Sequence, residues 1–383
     1  MSVCTPAGFR AAGVTAGLKS SGAPDLALVV NDGPDHHAAA VFTSNRVEAA
    51  PVTWSRQVVG DGRVDAVVLN SGGANACTGA QGFADTHATA EHVAAVLGLS
   101  AGDVVVCSTG LIGELLPMPK LLAGVAAAGE ALSVDGGAAA AAAIMTTDTV
   151  PKTAVADREG WSVGGMAKGA GMLSPALATM LVVLTTDVVV EAASLDHVLR
   201  SATAVTFDRV DSDGCMSTND TVVLLASGAS GVTAGREELT SAVTEVCASL
   251  ARQLVADAEG AHHDIAVEVR TAASEDDALE VARSVARNNL FKCAVFGNDP
   301  NWGRVLAAVG TTAAVFDPHQ LDVSINGVQV CRAGGVGEDR SLVDLTPREV
   351  HVTVDLHAGD RAATVWTNDL THDYVHENSA YSS

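Results

Sequence analysis

Aromatic side chains make up only 3% of the 383 residues, so the flat stacking surfaces that hold single-stranded nucleic acid are not evident. The core must instead be packed with Val, Leu and Ala, which the 48% hydrophobic share supplies. Basic residues are scarce too: 22 Lys plus Arg face 45 Asp plus Glu, a formal charge of −23. A surface of that sign repels phosphate backbones and argues against nucleic acid as a partner. No run of 18 apolar residues occurs, and the smoothest, Ala138 to Ala143, stops at Thr146-Thr147-Asp148. A membrane span is therefore not expected. The beginning, Met1-Ser2-Val3-Cys4-Thr5-Pro6, lacks both stretches of a secretory leader, and a cytoplasmic protein is the expectation. The seven cysteines are odd in number and widely spaced, with no C-x-x-C. Neither a disulfide framework nor a local zinc site is visible, and all seven read as small buried hydrophobes.

What is present is an alternation of short β-branched runs with longer helical stretches. Val64 to Asn70 and Asp103 to Cys107 read as strands, and Gln81 to Leu97 and Pro119 to Leu132 as helices. Met180 to Leu184 and Val222 to Ala226 are compact apolar runs. Glu237 to Ala256 is the clearest helix, with Leu239, Val243, Val246, Leu250 and Leu254 on one face. Ile265 to Val269 reads as strand, Ala278 to Asn288 as helix, and Lys292 to Phe296 as strand again. Asn326-Gly327 between alternating apolar residues signals a hairpin, and Val350 to Leu356 and Arg361 to Trp366 complete a strand-rich tail. The expected class is mixed α/β, with a smaller C-terminal sub-domain over about 275–383.

Familiar motifs are missing. Gly164 to Gly171 only superficially resembles a phosphate loop, because no Ser or Thr follows Lys168. There is no dinucleotide fingerprint, nucleophile elbow or H-E-x-x-H, and His262-His263 reads as a solvated pair. One segment stands out: KGAGMLSPALATML at 168–181 places one of only five lysines in a glycine turn, and Thr179 at the mouth of an apolar strand. The plain reading is a loop entering a buried strand. The sharper one makes Thr179 a nucleophile. Its hydroxyl needs a base, and cutting the chain between Ala178 and Thr179 would supply one, the new α-amine with a pKa of roughly 7.7–8.0. Attack of Thr179 Oγ on the Ala178 carbonyl, an N→O acyl shift and hydrolysis of the ester would free it.

At these residues the sequence resembles the ornithine acetyltransferase family of arginine biosynthesis, whose members often also act as N-acetylglutamate synthases. Six blocks carry the resemblance in order: NSGGANACTG at 70–79, STGLIGE at 108–114, TTDTVPK at 146–152, 168–181 itself, STND at 217–220 and NDPNWGR at 298–304. The resemblance implies an autoprocessing, N-terminal-nucleophile-like α/β fold, cut into an α segment (1–178) and a β segment (179–383). It implies acetyl transfer from N2-acetyl-L-ornithine to L-glutamate through an acetyl-threonine at Thr179. Thr109 and Gly110 match the oxyanion hole. Thr146, Lys168, Glu259, Asn378 and Ser383 match substrate contacts, with Lys168 suited to a carboxylate and Glu259 to an amine. No metal or cofactor is implied. Acetyl-CoA enters as a candidate co-substrate, and the assembly implied is a heterotetramer of two α and two β segments.

Each carried residue also has a purely architectural role open to it. Thr109-Gly110 could be a strand-ending turn, Thr146 a helix N-cap, and Glu259 a solvated helix end before a capping glycine. The chain departs from the family in reading Ala176-Leu177-Ala178 where Asn-Met-Ala is usual, in Ala258 for Gly, and in Ser383 for Thr. Two rivals stand beside the transferase: an autoprocessing aminopeptidase or amidase on the same scaffold, and an uncut, non-catalytic binding protein.

Overall fold

The computed structural model describes residues 2–173 and 180–380. Three mixed sheets organise the described residues. The first runs Phe9–Val14, Leu26–Asn31, Ala66–Asn70, Val104–Ser108, antiparallel except for the last pair, which is parallel. A parallel pair needs a crossover, and the helix Gly79–Leu97 supplies it. The second sheet runs His37–Phe42, Thr221–Ala226, Leu181–Thr186, Trp161–Lys168, Lys152–Arg158. Its parallel pair, Leu181–Thr186 with Thr221–Ala226, is joined through the helix Ala192–Ala204.

Strand alternation stacks these two sheets. Along Leu26–Asn31, Ala27 and Val29 join a core shared with Leu181, Val183, Val223 and Leu225 of the second sheet. Leu26, Leu28 and Val30 face the other way, onto Val93, Leu121 and Val125 of the helices Gly79–Leu97 and Met118–Glu130. In the second sheet Val182 and Leu184 turn outward onto Leu195, Leu199, Val243 and Leu250 of the helices Ala192–Ala204 and Arg236–Ala256. The result is four layers, helix–sheet–sheet–helix, whose sheets are apolar on both faces because both faces are covered. All five residues of the expected stripe on Arg236–Ala256 are at most 1% exposed.

The third sheet has six strands in the order Gly335–Val336, Val328–Arg332, Asp322–Ile325, Glu349–Asp355, Asp264–Ala272, Arg361–Asn368. It has its own core, closed by the helices Glu275–Ala286, Asn289–Phe296 and Trp302–Val309. Asn326 and Gly327 both take positive φ at the expected hairpin. The terminal helix His372–Ala380 leaves this sheet and runs back toward the first two.

The mixed α/β class is the one observed, with one element misread. Lys292 to Phe296, expected as a strand, is helical within Asn289–Phe296. Asn288 caps that helix through its side chain, which accepts from Phe291 N at 2.9 Å. Among the described residues no helix is long and apolar enough to cross a membrane. The cysteines divide: Cys107, Cys247 and Cys331 are buried as expected, but Cys77, Cys215 and Cys293 are exposed and Cys4 is intermediate. Cys77 and Cys215 lie in loops and Cys293 on the outer side of a short helix, so none of the three meets a core.

Candidate active site

A cleft of about 270 Å³ opens where the two stacked sheets end. Thr109, Gly110, Thr146, Lys168, Glu259 and Asn378 all line it. These six expected site residues come from distant parts of the chain, and the fold brings them together. Ala178, Thr179 and Ser383 lie outside the described residues.

One wall follows from the strand Val104–Ser108. Beyond it, Thr109 N donates to Asn70 O and Gly73 N to Thr109 O, both at 3.0 Å, so the chain is held as it leaves the sheet. Gly110 then takes φ of +132°, and a Cβ there would meet Gly73 N at 2.8 Å. Only glycine fits both demands. The Gly110 N–H finds no acceptor among the described residues. Thr109 is buried, and its Oγ1 accepts from Lys168 Nζ at 3.2 Å. A hydroxyl whose oxygen already accepts keeps its own proton free to donate. Thr109 and Gly110 therefore present two donors on adjacent residues, an arrangement suited to a developing oxyanion.

The floor is Lys168. It is not in a loose glycine turn, as the sequence suggested, but is the last residue of the strand Trp161–Lys168 and only 1% exposed. Period-two reading fails for this strand because every residue in it is buried. Burial depresses its pKa, partly countered by the Asp148 carboxylate. Asp148 is a residue to which sequence reasoning gave no role. One of its oxygens accepts from Lys152 Nζ at 2.6 Å and from Gly169 N at 2.7 Å, and the other from Thr146 N at 2.9 Å. Burial alone would raise this carboxyl, but Lys168, Lys152 and the Gly169 N–H together hold it at about 2. Lys152 is tied on its far side to Asp257 at 2.6 Å. Thr146 is thus a bend residue pinned by Asp148, not a helix N-cap. The signal available was the i,i+4 spacing of Asp148 and Lys152 within the block 146–152.

The opposite wall is Glu259. It sits past the end of Arg236–Ala256 but is only 9% exposed, not a solvated helix end. Its N–H donates to Ala170 O at 3.0 Å, and a Cβ on Gly171 would lie 2.7 Å from its carboxylate. Glycine at 171 lets the turn close on the carboxylate. Asn378, exposed at the rim on the terminal helix, donates to Glu259 Oε2 at 2.9 Å. A wider, more open hollow of about 650 Å³ adjoins the cleft across Thr147 and Glu259. Asp257, Asp373 and Glu377 make it acidic.

His262-His263 resolves into two unlike residues. His262 is exposed beside Asp373, whereas His263 is 7% exposed, held at Nδ1 by Asp369 (2.7 Å) and at Nε2 by Leu345 O (2.9 Å). It is an anchor between the last strand of the third sheet and the loop at Leu345, and not a solvated group. Among the described residues no cluster of three or more His, Cys, Asp or Glu could hold a metal.

A buried cation, a buried carboxylate opposite it and two donors between them define an enzyme cleft for a small molecule charged at both ends. The family model described as the ArgJ family matches residues 10–383. The chain belongs to that family. A protein of Streptomyces coelicolor named arginine biosynthesis bifunctional protein ArgJ is 68% identical over 383 residues, covering all of both chains. The protein of that name from Mycobacterium tuberculosis is 58% identical over 389 residues, covering all of this chain and 96% of its own. Among solved structures, ornithine acetyltransferase complexed with ornithine from Mycobacterium tuberculosis is 60% identical. It covers 47% of this chain and 96% of its own, with a TM-score of 0.45.

Proposed function

We propose that this chain cuts itself between Ala178 and Thr179 and then moves the acetyl group of N2-acetyl-L-ornithine to L-glutamate. The observation that carries this reading is the convergence of Thr109, Gly110, Thr146, Lys168, Glu259 and Asn378 on one cleft. Family membership, with relatives named for arginine biosynthesis, supports it. The freed Thr179 amine acts as base while its hydroxyl attacks the acetyl carbonyl, and Thr109 Oγ1–H and Gly110 N–H stabilise the tetrahedral oxygen. The same amine then returns its proton to the departing ornithine nitrogen. Glutamate attacks the acetyl-threonine in the reverse sense.

Lys168 faces the substrate carboxylate, and Glu259, held by Asn378, faces the ammonium at the other end. Thr146 and Ser383 complete the contacts. The acidic hollow lies on the Glu259 side of the cleft, where it favours the ammonium end of the substrate. One amide is broken and a similar one formed, so the exchange runs without ATP or a metal; acetyl-CoA is the further acetyl donor by which such an enzyme would also make N-acetylglutamate. The reading includes a cytoplasmic location and an assembly of two α and two β segments.

Mass spectrometry and N-terminal sequencing of purified protein should find a fragment beginning at Thr179. Ornithine release from N-acetylornithine should accelerate with glutamate. Release indifferent to glutamate would transfer the reading to an amidase, and a single intact chain unaltered by Thr179→Ala would defeat both enzyme readings.

A further inference from the structure

The turn that precedes Thr221–Ala226 lines the cleft with Ser217, Thr218 and Asn219, and consecutive residues of it reach the Thr109–Gly110 wall and the chain at Met180. Asn219 Nδ2 donates to Ala74 O at 2.6 Å and to Ser108 O at 2.8 Å, the carbonyls flanking Gly73 and Thr109. Its own amide oxygen accepts from Thr218 Oγ1 at 2.5 Å, which fixes the amide's orientation. On the other side, Asp220 Oδ1 accepts from Met180 N at 3.0 Å, and Thr221 N donates to Met180 O at 3.1 Å. Met180 is the residue after Thr179. Asn219 and Asp220 are 4% and 0% exposed, so neither is a surface turn residue. Sheet register places Lys168, Leu181 and Thr221 abreast, so the turn addresses the same end of the sheet as the cleft.

We propose that Asn219 and Asp220 are positioning residues, a two-residue clamp that sets the distance between the Thr109–Gly110 donors and the chain at Met180, with Asp220 acting as a neutral hydrogen-bond acceptor and not as a charge. The proposal rests on the reading of Thr179 as nucleophile and of Thr109–Gly110 as oxyanion hole. Two features of the site support the neutral form. Among the described residues no hydrogen bond of ordinary geometry reaches Asp220 Oδ2, which an ionised buried carboxylate would tolerate poorly. Complete burial pushes the carboxyl well above its usual range, although the Met180 N–H, the Lys168 charge and the nearby Ser217 and Thr43 hydroxyls act the other way. A protonated carboxyl and a carboxamide offer the same acceptor and a donor in the same place.

Full-length wild type, Asp220→Asn, Asp220→Ala and Asn219→Ala should be compared for self-cleavage rate on gels and for transfer kinetics, with circular dichroism of each. Asp220→Asn should cleave and transfer within about threefold of wild type, whereas Asp220→Ala should slow both by about 10²-fold, the effect of a misplacement near 1 Å. Asn219→Ala should lower kcat by a similar factor with KM within about threefold, because the oxyanion forms only in the transition state. Equal defects in Asp220→Asn and Asp220→Ala would overturn the neutral-acceptor role. A wild-type cleavage rate in Asp220→Ala, or a raised KM with unchanged kcat in Asn219→Ala, would overturn the clamp. Should Asp220→Ala give no soluble protein, Asp220→Asn and Asn219→Ala decide between them. A wild-type chain that is uncut would defeat the underlying reading instead.

Discussion

Two lysines in this molecule are equally hidden and serve unlike ends. Lys168 lies at the end of a sheet strand, beside Thr109 Oγ1 at 3.2 Å, and faces the cleft. Lys292 lies on a short helix of the C-terminal unit and is 5% exposed. It is spent entirely on the protein, donating to Ser212 O and, at 3.3 Å, to Thr367 Oγ1. Burial drives both below the usual lysine range, Lys292 to about 8. A depressed pKa alone therefore does not mark a functional group here. The difference is that Lys168 meets groups from separate sheets around an open volume, whereas Lys292 fills a seam.

Removing the terminal segment tests how much the cleft depends on the C-terminal unit. Deleting 378–383 should abolish transfer while leaving self-cleavage largely intact, since Asn378 reaches Glu259 from outside the stacked sheets; chromatography of the cut segments and a transfer assay read both. On the oxyanion wall, Thr109→Val keeps the shape and loses the hydroxyl. It should lower kcat by about 10²–10³-fold with KM little changed. Lys168→Met should lower kcat/KM by at least about 10²-fold, the loss of the proposed charged contact to a substrate carboxylate. Lys292→Met, the matched change in the seam, should leave kcat/KM within about threefold and instead cost about 1–3 kcal/mol in urea unfolding, for two acceptors left without a donor. Comparable kinetic damage from both lysine changes would break the distinction.

The smallest effect concerns acid. Asp148 is held at about 2 in the folded protein, below an unfolded carboxyl near 3.9. A depressed carboxyl stabilises the fold above the unfolded pKa, and that contribution disappears as pH falls from about 4 through 2. It is worth about 2 kcal/mol, and Asp148→Asn should flatten this part of the acid unfolding curve.

Much of the scaffold was readable because its elements are long and regular. The apolar stripe of Arg236–Ala256 and the Asn326-Gly327 turn depend only on local spacing, and both appear where expected. Within Lys292 to Phe296, which is helical and not a strand, the four-residue apolar run Cys293 to Phe296 fits either period, and the deciding signal is the cap at Asn288. The expectation that the cleft-lining residues belong together rested on family motifs, since no spacing in the chain links Thr109 to Glu259. Asn219 and Asp220 carry no signal of their own within the block 217–220, and Asp148 only its spacing from Lys152 within 146–152. Their work is to hold other residues, which shows only when partners are known.

The order of amino acids alone determined an acidic, aromatic-poor α/β protein, its main helices and strands, and the blocks that carry its family resemblance, because each of these depends on neighbours a few positions apart. Which lysine faces a cavity, which histidine is sealed in, and how Asn219 and Asp220 join the Thr109 wall to the chain at Met180 were decided by tertiary packing. Burial and electrostatic pairing are properties of groups that meet in space, and the chain brings them together only on folding.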